Sequence, residues 1–171
     1  MSTPPATLLD ETLEAWRDAR EGIVAEVENL PAKQMGWRPV EGVRSITELV
    51  QHILEVSMMM TGELTRPDTD FGRKPWPELL AMYAKPAYQA TSRAALLRLL
   101  TDQMHEAEEK FRAAGELQLY QFIRRFDGAP GTKFTWLQHG IAQEMYHRGQ
   151  LALYARLLGL VPALTRQIQG G

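Results

Sequence analysis

The chain has no cysteine. That excludes disulfides, thiolate metal ligands and a cysteine nucleophile, so any bound metal must take nitrogen and oxygen donors. It also fits a reducing compartment. The N-terminal stretch MSTPPATLLDETLEAW has neither a basic segment nor an apolar leader, and no apolar run approaches the roughly 20 residues of a membrane span. An excess of charge is missing too: the formal net charge is -2, which offers no attraction to nucleic acid or to an acidic membrane surface. A cytoplasmic protein with neither nucleic acid nor membrane as partner is expected. There is no internal repeat, and strand-like alternation is confined to one loop.

What remains is an ordinary globular composition. The 171 residues are enough for one sizeable core and too few for two comfortable domains, so residues 1–171 read as a single domain. Apolar residues recur at helical spacing in four long segments, residues 7–30, 45–64, 91–114 and 133–159, which predicts a four-helix bundle. Ser45-Ile46-Thr47-Glu48 has the form of a capping box and sets the start of the second helix. Thr132 is a candidate N-cap for the last helix, and Gly159 with Pro162 ends it. The connection TRPDTDFGRKPWP has loop composition, with a short helical turn at PELLAMYA, and its length suits a crossover. LQLYQFIRRFDGAPGTKF carries alternating apolar residues and a turn, a weak hairpin signal.

Chemistry gathers on the last segment. At about 100° per residue, Trp136, Gly140, Gln143, Glu144, His147, Leu151, Tyr154 and Leu158 share one face. Burying that face is expected, yet its middle carries three polar side chains that cost free energy in an interior unless satisfied. Residues four apart meet on a helix, so Gln143 and His147 can point at one atom, with Glu144 also within reach. His52 lies two turns into the second helix among apolar residues. Two imidazoles and an oxygen donor could hold a divalent ion with open water positions, the arrangement of a catalytic rather than a structural site. These groups could equally hydrogen-bond one another or a trapped water. Arg20 falls on the apolar stripe of the first helix and suits either an anionic ligand or a carboxylate partner. His139 is too far along its helix to join His147 on one ion, and His105 is expected on the outer side of the third helix. A di-iron site would need a second Glu-x-x-His, which the chain lacks.

GWRPVEGVRSITELVQHILEV, followed some ninety residues later by LQHGIAQEMYHRGQLALYARLLGL, resembles the DinB/YfiT-like superfamily over nearly the whole chain. Trp-Arg-Pro before the second helix, Ser-Ile-x-Glu-Leu-x-x-His on it and His-Arg-Gly-Gln-Leu on the last helix carry the resemblance. It implies an up-down-down-up bundle, frequently a homodimer, with a zinc or nickel ion held by three histidines. The activities it implies are S-transfer or isomerisation dependent on a low-molecular-weight thiol. His52 and His147 match the first and last ligand positions. Gln143 stands where the middle histidine is usual, and an amide oxygen is a weaker donor to zinc or nickel than an imidazole. The ligand set expected from the resemblance is therefore His52, Gln143 and His147, with Glu144 as an additional donor and Gln150 and Tyr154 around them. The alternative is a non-catalytic bundle with a degenerate metal site that binds a small molecule or a partner protein.

Overall fold

The computed structural model describes residues 6–170. Helix α1 (Leu8–Asn29) begins where the Thr7 hydroxyl accepts the Asp10 amide and ends at Leu30, which turns extended before Pro31. Helix α2 (Ile46–Leu64) starts with the full capping box, Glu48 N donating to Ser45 Oγ and Ser45 N to the Glu48 carboxylate. The crossover folds into two short helices, α3 (Trp76–Tyr83) and α4 (Lys85–Gln89). Helix α5 (Arg93–Ala114) is capped by Ser92 and closes at Gly115, whose φ of 81° is a conformation that side chains disfavour. Strands β1 (Phe122–Arg124) and β2 (Pro130–Thr132) form the antiparallel hairpin. Helix α6 (Lys133–Leu157), capped by Thr132, is followed by α7 (Ala163–Ile168), a short helix that periodicity had left unassigned.

Side-chain links give the helix directions. The start of α1 meets the end of α5, where Leu9 N donates to Glu116, and the end of α1 meets the start of α5, where Arg93 donates to the Leu30 carbonyl. Trp16 bonds Glu144 and Asn29 bonds the Val161 carbonyl, so α1 and α6 run parallel. Tyr154 reaches back to the Arg44 carbonyl, which sets α6 antiparallel to α2. In chain order the four long helices run up, down, down, up. Both α1 and α2 pack on α5 and α6. The four long helices thus form one four-helix bundle with the up-down-down-up order expected. Among the described residues no helix is long and apolar enough to cross a membrane.

The core has two apolar halves. One gathers Leu13, Trp16, Met59, Met60, Leu137 and Phe111, the other Ile23, Val27, Ile53, Leu100 and Leu151. Between them lies a polar layer, in which Arg20, Ser57, Gln103 and Glu144 are all buried. The faces differ in detail from those expected. On α6 the buried line runs through Leu137, Ile141, Glu144, His147, Leu151 and Ala155. Trp136, Gly140, Gln143 and Leu158 are only half-buried, because α6 contacts two helices and its inward arc is centred between them. The crossover is tied down: Arg124 on the hairpin pairs with Asp70, and Phe71, Trp76, Phe126 and Trp136 stack edge to face over one end of the bundle.

Candidate functional site

His52 on α2 and His147 on α6 meet edge to face, with ring centres 5.0 Å apart and planes at 82°. Each ring is oriented by a residue three positions on, the neighbour one turn away on the same helix face. His52 Nδ1 lies 2.5 Å from Glu55 Oε1, and His147 Nδ1 lies 2.6 Å from Gln150 Oε1. A carboxylate and an amide oxygen only accept, so both Nδ1 atoms carry a proton, and in a neutral ring Nε2 then presents a lone pair. Neither Nε2 has a hydrogen-bond partner among the described residues. Glu55 is held in turn by the Tyr88 hydroxyl from α4.

The electrostatics favour a neutral His147 and an ionised Glu55. Burial lowers the pKa of His147, helped by the charges of His52 and Arg44, and this outweighs the Gln150 hydrogen bond and the Glu144 charge. Burial pushes the Glu55 carboxyl up, yet the hydrogen bonds from His52 and Tyr88, with the charges of His52 and Arg44, bring it net below its ordinary value. Burial first, and the hydrogen bond to Glu55 second, raise the Tyr88 hydroxyl to about 12.

Gln143 sits one turn before His147. Its amide nitrogen and oxygen are both buried without a hydrogen-bond partner, an arrangement that costs about 1–3 kcal/mol per group unless something occupies the space beside them. Two imidazoles bound to one ion at about 2.0–2.1 Å have ring centres roughly 5 Å apart, the spacing seen for His52 and His147. Two nitrogen donors sharing one divalent ion would give such a ring spacing, and Gln143, one turn before His147, carries an unpartnered amide oxygen. Among the described residues no group of three or more His, Cys, Asp or Glu side chains is placed to hold a metal ion.

Glu144 has a different place from the one its spacing suggested. Its carboxylate accepts from Trp16 Nε1 at 2.6 Å and from Arg20 Nε and Nη2 at 2.9 and 2.5 Å. Arg20 in turn donates to the Leu100 carbonyl, Gln103 and Ser57. The carboxylate is taken by a buried cation, so it is not free to ligate; 100° of rotation per residue turns it toward α1 while His147 turns toward α2. Tyr154 hydrogen-bonds the Arg44 carbonyl and stacks edge on Trp37 at 5.6 Å. His105 and His139 are exposed. Glu55 had a readable signal, the three-residue spacing from His52, whereas Tyr88 reaches the site only because the crossover folds back.

The sequence profile of the DinB family matches residues 1–168. The chain belongs to the DinB family. Among solved structures it is similar to the DinB-like protein YjoA from Bacillus subtilis, with a TM-score of 0.67 and 21% identity over 87% of this chain and 92% of that one. It is also similar to the mycothiol-dependent maleylpyruvate isomerase, with a TM-score of 0.66 and 15% identity over 88% of this chain and 63% of the isomerase chain. Both likenesses are of fold. Comparison with curated proteins finds no match.

Proposed function

We propose that this DinB-family chain is a divalent-metal-dependent enzyme acting with a low-molecular-weight thiol, a transferase or a related metal-assisted enzyme, with the ion held by His52, His147 and Gln143. The observation that carries the reading is the imidazole pair, with both Nδ1–H groups committed and both Nε2 atoms left over. A zinc or nickel ion bound there would stabilise a thiolate and polarise an acceptor carbonyl. The protein's part is to hold the donors ready. Glu55 and Gln150 fix the ring tautomers, the arrangement that orients ligating histidines elsewhere. Burial keeps His147 in the neutral form that can ligate. The thiol class is supported by the name of the isomerase that shares the fold.

Elemental analysis of protein purified without a histidine tag, followed by titration with zinc and nickel, tests this. About one equivalent per chain, lost in His52→Ala, is expected. No uptake at micromolar metal would sink the reading. That no group of three His, Cys, Asp or Glu side chains among the described residues is placed to hold an ion favours a second reading, a non-catalytic bundle with a degenerate site that takes a small molecule or a partner protein. Gln143→His separates the two: tight new metal binding without new activity supports the second. The homodimer implied by the family is carried as part of the proposal and is checked by light scattering.

A further inference from the structure

Beside the imidazole pair lies an open cleft of about 540 Å³, lined by the loop before α2 and by Gln150 and Tyr154 of α6. Gln150 joins the cleft to the site, because its side-chain oxygen holds His147. Arg44 lines the same cleft. Its backbone carbonyl anchors Tyr154, while its exposed guanidinium makes no hydrogen bond or ion pair among the described residues. The neighbouring Arg38 is committed to Glu48 and to the Val43 carbonyl. Glu55, an anion whose environment includes the charge of Arg44, is already engaged by His52 and Tyr88. One uncommitted cation thus faces a cleft that opens beside His147.

We propose that Arg44 is the anion-recognising residue of this cleft, and that the small molecule taken by the site carries a carboxylate, held by the Arg44 guanidinium beside Gln150. This rests on the reading of the imidazole pair as the reactive centre and adds the class of its substrate. A planar guanidinium presents two parallel N–H donors that match a carboxylate. A phosphate would ask for more donors than one free cation supplies, since Arg38 is occupied.

The test uses the full chain and two probes that differ only in charge, succinate and succinamide, followed by NMR shifts of the Gln150 side-chain amide. Succinate is expected to bind wild type roughly ten- to a hundredfold more tightly than succinamide, the worth of a hydrogen bond to a charged group. Arg44→Gln should abolish that preference and Arg44→Lys restore part of it, with the bundle's circular dichroism and metal content unchanged in both. Equal binding of the two probes, a preference that survives Arg44→Gln, or stronger displacement by inorganic phosphate than by succinate would overturn the proposal. His52→Ala keeps the two readings apart: it should remove metal uptake and leave the succinate preference intact. A wild type that binds no metal but still prefers succinate through Arg44 would therefore overturn the metal reading alone.

Discussion

The interior holds two polar clusters at the same level of the bundle, and they are built on opposite principles. Around Arg20 every partner is found: Glu144, Gln103, Ser57 and the Leu100 carbonyl accept its donors, and Trp16 completes Glu144. Thr61 takes an amide hydrogen of Gln103, which closes the network. Around His147 the accounts stay open, with two Nε2 atoms and both polar atoms of Gln143 unmatched. A saturated buried network specifies how helices pack. An unsaturated one leaves donors and acceptors without partners in the fold itself. Neighbouring residues on α6, Glu144 and His147, therefore serve different ends.

Breaking the saturated cluster should give the largest effect. Glu144→Ala leaves the Arg20 guanidinium buried without its anion, side chains that are 2% and 1% exposed in the pair, and should destabilise the fold by about 3–5 kcal/mol in urea denaturation. In the open cluster the sign reverses. Gln143→Met removes unpartnered polar atoms at similar volume and should stabilise the metal-free protein by about 1–2 kcal/mol while weakening metal uptake. A loss of stability in that variant would mean that Gln143 has partners after all.

The pH dependence sharpens the same contrast. The folded pKa of His147 is lowered, so as pH falls below about 6.5 the unfolded chain takes up the proton first. Stability is full above that range and declines through it, by at most about 1.4 kcal/mol per pH unit from this one group. His147→Gln should flatten that slope in denaturation midpoints measured from pH 7.5 downward. The smallest effect is expected of His52→Ala. His52 is 20% exposed, so in metal-free protein its loss should move stability by less than about 1 kcal/mol. A drop comparable with that of Glu144→Ala would show that the two clusters do not differ in kind.

Local rules were legible in the chain. Ser45 and Glu48 make the expected capping box, Thr132 caps α6, and each long helix ends within two residues of where its periodicity stops. His52 and His147 could be singled out because a histidine on an apolar stripe is conspicuous. The role of Glu144 was not legible, since its spacing to His147 suits a shared ion as well as a partner on another helix. Arg20 was read with both of its alternatives, and the carboxylate it meets lies 124 positions away. Gln103 and Ser57 gave no signal, being ordinary polar residues that only a neighbouring cation makes necessary.

By itself the sequence determined the helices, their caps, the absence of any cysteine of its own and the pair of histidines, because these follow from periodicity and residue type within a few turns of chain. The tertiary structure alone decided which polar group meets which. Helix rotation sends Glu144 to α1 and His147 to α2, the folded crossover brings Tyr88 to Glu55, and the loop before α2 leaves Arg44 over the cleft. Such pairings depend on the relative rotation and height of elements far apart in the chain, set by the packing of the whole core rather than by any local preference.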